Sequence, residues 1–232
     1  QLSKTVIGDP SIEGVRMGSL VGCSQRDDVI AQVSKLSSES DIVFGSTSNS
    51  DLSLVGANSE VGTFMSPILL RVKDSSTAVN VHEIEAFGPV SSVMSYNKVE
   101  EAVALSKKGK GSLCCSITTH DQSVATEFVR NAASMHGRIL VLDRECAKES
   151  TGHGSPLPLL VHGGPGRAGG GEEMGGLRGI RHYMQRTAIQ GHPSMLTAIT
   201  EQFQPGASQP ESKPHVFRKH FEELRIGETV TT

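Results

Sequence analysis

The side chains able to do chemistry are thinly spread along this chain. Its 232 residues hold four cysteines, Cys23, Cys114, Cys115 and Cys146, two of them adjacent and none in Cys-x-x-Cys spacing. A thiol acts as a nucleophile only as thiolate, and burial in apolar surroundings holds it protonated. Cys114 and Cys115 fall in the apolar run Leu113–Thr118, where alternation buries at least one of them. Cys23 and Cys146 sit near element ends with no base beside them. Disulfide frameworks belong to small, cysteine-dense secreted chains, so reduced thiols in a cytoplasmic protein are expected. Nine histidines include no His-Glu-x-x-His and no Cys/His set with zinc spacing, so no metal site is expected. His153 and His162 read as loop polar residues.

Gly164-Pro165-Gly166-Arg167-Ala168-Gly169 spells Gly-x-Gly-x-x-Gly, which binds a dinucleotide only between a strand and a helix. Pro158 interrupts the preceding run and further glycines follow where a helix should begin. The segment therefore reads as a loop lying against other backbone. Gly109-Lys110-Gly111-Ser112 is too short for a phosphate-binding loop. Glu83 and Glu85 precede a Gly-Pro turn, where a carboxylate either takes two hydroxyl donors or is simply solvated. Composition and spacing alone assemble no catalytic constellation.

The elements that must position these groups alternate. Helical stripes run through Val29, Ile30, Val33 and Leu36 after a capping Ser24, through Lys98–Lys107, and through Val124, Ala125, Phe128, Val129 and Ala132 after a capping Asp121. Strands are expected at Ile42–Gly45, Pro67–Val72, Val90–Tyr96, Leu113–Thr118 and Ile139–Leu142, and Thr47–Glu60 reads as a loop. Strands alternating with helices of this length predict an α/β fold with a parallel or mixed sheet and crossover helices. Gly152–Gly179 then holds 11 glycines in 28 residues, too many for regular structure. Tyr183–Gln190 reads as a helix end followed by a strand, and Gln204–Pro214 has the composition of a linker.

Charge and composition exclude several functions. With 22 Lys+Arg against 25 Asp+Glu the net charge is -3, which gives no electrostatic case for nucleic acid or an anionic membrane. Aromatic residues make up 4%, too few for single-strand stacking platforms. No apolar stretch approaches the ~20 residues of a membrane span. The chain opens at Gln1 without a methionine and runs straight into a turn, so it is expected to be an internal portion of a longer polypeptide.

His82-Glu83-Ile84-Glu85-Ala86-Phe87-Gly88-Pro89-Val90 resembles the Glu-x-Phe-Gly-Pro-Val signature of the aldehyde dehydrogenase superfamily. His162-Gly163-Gly164, Gly169-Gly170-Gly171-Glu172-Glu173 and Tyr183 resemble that family's late glycine-rich segment. Ala147–Pro158 and Val161–Gly191 are similar to bifunctional members that serve phenylacetate breakdown, in which the dehydrogenase is fused to a MaoC-like hydratase, an oxepin-CoA hydrolase. Phe217–Thr232 resembles the start of that second module. The resemblance divides the chain into 1–191, the C-terminal part of a dehydrogenase catalytic domain including its oligomerisation strand, then 192–216, a linker, and 217–232, the start of the hydratase.

This resemblance implies a cofactor role for two residues. Glu85 would accept hydrogen bonds from the nicotinamide ribose hydroxyls, and Phe87 would pack near the nicotinamide of NADP (or NAD). In the family a thiolate attacks the aldehyde, hydride passes to the nicotinamide, and water hydrolyses the thioester. The catalytic cysteine lies in a Gly-Gln-Lys-Cys segment upstream of the turn matching Val6-Ile7-Gly8-Asp9-Pro10, and the general-base glutamate and Rossmann domain lie further upstream. None of the four cysteines matches that nucleophile, so this chain alone is expected to be inactive. Where this chain has Asp143 the family usually has Asn. The implied substrate is a CoA-linked semialdehyde. Arg186–Gln190 resembles the strand through which these enzymes pair edges, so a homo-oligomer is implied; an exposed edge of that kind needs a partner. The competing expectation is a truncated product acting as an interaction or oligomerisation module.

Overall fold

A computed structural model describes residues 1–48, 52–146, 148–149, 163–168, 180 and 183–208. The chain forms two compact units, Gln1–Ser112 and Leu113–Thr232.

In the first unit, β1 (Ile7–Gly8) pairs in parallel with β3 (Leu54–Val55). That pairing puts a strand inside Thr47–Glu60, expected to be loop throughout. A three-stranded sheet has the order β2 (Ser40–Phe44), β4 (Ile68–Val72), β5 (Val90–Val93), with β2 antiparallel and β5 parallel to β4. Helix α1 (Cys23–Leu36) covers it. Val29, Val33 and Leu36 lie at helical spacing on one face and are buried against Met65, Ile68 and Leu70. The helix starts one residue ahead of Ser24 and its N-cap is Gly22, without a capping side chain. β2 stops at Gly45, whose φ of +80° is open to glycine and whose missing Cβ would otherwise fall 2.0 Å from the Pro67 carbonyl oxygen. Short helix α2 (Asn80–Glu83) makes the crossover from β4 to β5, and α3 (Val99–Lys108) follows.

The second unit has a sheet in the order β6 (Ser112–Thr118), β7 (His136–Leu142), β8 (Ala188–Gln190). β7 is the central strand and is buried from His136 to Val141, and β8 runs parallel to it with Arg138 opposite Ala188. Between β6 and β7 lies α4 (Gln122–Ala132). The expected cap is there: the Asp121 carboxylate accepts from the Ser123 and Val124 amides at 2.8 and 3.1 Å.

Helix α5 (Pro193–Thr200) occupies the beginning of the expected linker 192–216. Proline at its first turn has no amide to leave unsatisfied, and Met195 and Ile199, four residues apart, enter the core of Ala125, Val129, Ile139 and Val141. These residues are therefore part of the unit, not a spacer. Residues 217–232 and most of Gly152–Gly179 lie outside the described residues. The mixed α/β architecture is the one the alternating pattern predicts. No helix among the described residues is long and apolar enough to cross a membrane.

Candidate functional site

Glu85 and Phe87 sit on the segment joining α2 to β5. Exposure alternates along it: Glu83, Glu85 and Phe87 are exposed, while Ile84, Ala86 and Gly88 are half-buried. Glu83 closes α2, Glu85 follows the extended Ile84, and Phe87 stands in a tight turn where Gly88 N–H donates to the Ala86 carbonyl at 2.7 Å. The segment's inward residue Ile84, together with Val90, packs against the core around Val29 and Ile68.

The two carboxylates differ in their partners. Glu83 Oε1 is 3.4 Å from Lys110 Nζ. Among the described residues no donor meets the Glu85 carboxylate, which leaves both of its oxygens able to accept from hydroxyls. Phe87 keeps 66% of its surface exposed, a large apolar area for a side chain on a well-anchored turn. An aromatic face of that kind takes a flat ring.

The turn is anchored from three directions. Ile68 N–H, on β4, donates to the Pro89 carbonyl at 2.8 Å. Gln25 Nε2, on the first turn of α1, donates to the Phe87 carbonyl at 2.6 Å. Gly88 lies against Val29, one helical turn beyond Gln25. α2 is held as well, since Glu39 Oε2 accepts from the Val79 and Asn80 amides at 3.0 and 2.8 Å. Neither Gln25 nor Glu39 stood out in the sequence, and Val29 did so only as part of a helical stripe. A hydrogen bond spanning 62 residues leaves no local pattern to find.

The cysteines do not assemble a reactive centre, and no disulfide joins any of them. Burial, and then the neighbouring Cys114, push the Cys115 thiol up to about 11, so it carries almost no thiolate at neutral pH. Cys146 Sγ donates to the Val141 carbonyl at 3.5 Å, and Cys23 Sγ lies 3.6 Å from Thr63 Oγ1. Asp143 closes the turn after β7: its Oδ1 accepts from the Glu145 and Cys146 amides at 2.9 and 3.1 Å. Among the described residues no group of three His, Cys, Asp or Glu side chains is placed to hold a metal ion. The Gly-x-Gly-x-x-Gly letters contain a single turn of 3-10 helix at Gly166–Ala168, and the adjacent Gly163 donates to the Arg186 carbonyl at 2.9 Å. That contact is backbone lying on backbone.

An α/β unit presenting a carboxylate and an aromatic side chain from a Glu-x-Phe-Gly-Pro-Val turn points to one class of enzyme. The profile of the aldehyde dehydrogenase family matches residues 1–189, and the chain belongs to that family. It is 48% identical over 217 residues to Protein MaoC of Klebsiella aerogenes, covering 93% of this chain and 62% of that protein. It is 36% identical over 165 residues to the 3,4-dehydroadipyl-CoA semialdehyde dehydrogenase of Aromatoleum evansii, covering 71% of this chain and 32% of that protein. The chain thus spans less than two thirds of either relative. Among solved structures, the aldehyde dehydrogenase AldC of Pseudomonas syringae, determined with NAD+ and octanal, shares the fold at a TM-score of 0.57 and 23% identity, over 78% of this chain and 33% of that one. The betaine aldehyde dehydrogenase of Staphylococcus aureus does so at 0.58 and 20%, with the same coverages.

Proposed function

We propose that this chain is the part of an NAD(P)-dependent aldehyde dehydrogenase that presents Glu85 and Phe87 to the nicotinamide half of the cofactor, within an enzyme that oxidises a CoA-linked semialdehyde. The carrying observation is the Glu85 carboxylate, exposed and met by no donor among the described residues, two residues from a Phe87 ring 66% exposed on the same short segment. These residues fit the group. A ribose offers two neighbouring hydroxyls to a carboxylate, and a nicotinamide offers a flat ring to a phenyl face. When bound, the nicotinamide serves as hydride acceptor. Glu85 orients the ribose, and Phe87 limits where the ring can lie and excludes water from one of its faces.

The semialdehyde substrate is supported by the Aromatoleum relative, named for acting on such a compound. Its place is ring-cleavage chemistry of phenylacetate breakdown, with NADP as the acceptor and the enzyme in the cytoplasm. Residues 1–191 belong to the dehydrogenase, and a MaoC-like hydratase begins at 217. The copies pair through Arg186–Gln190, a reading supported by β8 standing at the end of its strand order. The chain by itself does not turn over aldehyde, since no cysteine in it has the setting of a nucleophile.

The test is Glu85→Gln in the intact dehydrogenase carrying this segment. Loss of the anionic acceptor, with an amide oxygen still able to accept, raises the KM for NADP roughly tenfold, the low end of the ~1.5–3 kcal/mol of a charge-assisted hydrogen bond, and leaves the KM for aldehyde near its original value. An unchanged KM for the cofactor overturns the assignment.

A further inference from the structure

We infer that Gln25 is a positioning residue for the Glu85–Phe87 segment, joining it to the first turn of α1 through both ends of its side-chain amide. The inference rests on the cofactor reading above only for its consequence in catalysis; the link itself stands on geometry.

Gln25 Oε1 accepts from the Val21 amide at 3.0 Å, and Gln25 Nε2 donates to the Phe87 carbonyl at 2.6 Å. The amide group thus bridges the residue before the helix N-cap and the turn that carries the candidate cofactor residues. A primary amide suits this job because it offers an acceptor and a donor on one rigid plane. Each bond does something local backbone cannot. The Val21 amide lies ahead of the helix and lacks a partner within it. The Phe87 carbonyl sits in a tight stretch where Gly88 N–H donates back to Ala86 at 2.7 Å and Val90 N–H to Gly88 at 2.8 Å. Fixing that carbonyl fixes the peptide plane, and with it the direction in which Phe87 projects. Four residues on, Val29 meets Gly88 on the same face of α1, so the helix holds the turn by one polar and one apolar contact, a helical turn apart. Val21 is 99% exposed and Phe87 66%, so the polar contact lies at the surface, beside the buried contact of Gly88 with Val29.

Two substitutions separate the two bonds. Gln25→Ala removes both, whereas Gln25→Glu keeps an acceptor for Val21 and replaces the donor to Phe87 with a repelling oxygen. Hydrogen exchange on the 232-residue chain reads the link without reference to activity. The Gly88 and Val90 amides exchange roughly five- to tenfold faster in both variants, as loss of one bond of this strength implies. The Val21 amide exchanges faster in Gln25→Ala alone. In the intact dehydrogenase both variants raise the KM for NADP several-fold with a smaller effect on kcat. Unchanged exchange at Gly88 and Val90 in both variants overturns the inference, whatever the kinetics. Faster exchange there, with a cofactor KM indifferent to both Gln25 and Glu85 substitutions, keeps the link and removes the cofactor reading instead.

Discussion

A Cβ added to Gly88 would stand 2.7 Å from Cγ2 of Val29, a side chain with no exposed surface. The glycine is required there by closeness rather than by backbone angle. Val29 is β-branched and helical, which leaves it essentially one side-chain rotamer, and Met65, Ile68 and Leu70 share its cluster. It cannot turn aside. Gly88→Ala therefore forces α1 and the turn apart and costs about 1–3 kcal/mol, the usual range for an overpacked core. Urea unfolding of the chain measures this directly. Adding Val29→Ala to Gly88→Ala makes room for the new methyl, so the double variant is more stable than the sum of the single losses predicts. Strict additivity would show that the two residues do not press on one another.

The alternation of strand and helix was legible because buried faces repeat along each element. Val29, Val33 and Leu36, or Ala125, Phe128, Val129 and Ala132, mark their helices by spacing alone. Asp121 was legible as a cap because its partners are two and three residues away. Where that logic failed, the stabilising contact was distant. Leu54 and Val55 make a strand only because β1 lies beside them, and nothing in their Ser/Asn-rich surroundings marks the pairing. Met195 and Ile199 lie in a stretch the resemblance assigned to a linker, and they form a helix there against the distant partners Ala125, Val129, Ile139 and Val141. Glu85 and Phe87 were singled out by resemblance rather than by physics. From residue types alone Glu83 and Glu85 were equivalent, and only the Lys110 partner of Glu83 separates them.

Glu39 reaches the candidate site from behind. Its Oε2 accepts from two consecutive amides at the start of α2, a four-residue helix too short to hold itself. Glu39→Ala leaves both donors without this partner and costs roughly 1–2 kcal/mol, the scale of a lost helix cap. Glu39→Gln keeps one acceptor oxygen and loses about half as much. Because α2 leads directly into Ile84 and Glu85, the alanine variant also speeds exchange of the Ile84 amide, which donates to Asn80 at 2.8 Å. An Ile84 amide unaffected by the substitution would mean that α2 is held without the Glu39 carboxylate, by its apolar contacts and the Asn80–Ser38 hydrogen bond.

The second unit carries its own pH dependence at His136. This histidine opens the central strand β7 with 3% of its surface exposed, and burial holds its pKa below the ordinary 6.5. In the first unit His82 is lowered too, chiefly by burial and then by Lys108, with Glu39 acting in the opposite sense. For a base lowered on folding, the unfolded chain binds more protons between the two values. Stability is therefore complete above about 6.5 and declines as pH falls toward the folded value, where the loss levels off. Urea midpoints taken from pH 8 down to pH 5 should hold steady at first and then fall. Following the transition through amides of β7 isolates the contribution of the second unit. His136→Gln removes the ionisable group, so the β7 transition in that variant keeps a flatter profile below pH 6.5 whatever its absolute stability. A variant that keeps the full acid slope would assign the effect to other groups in the unit.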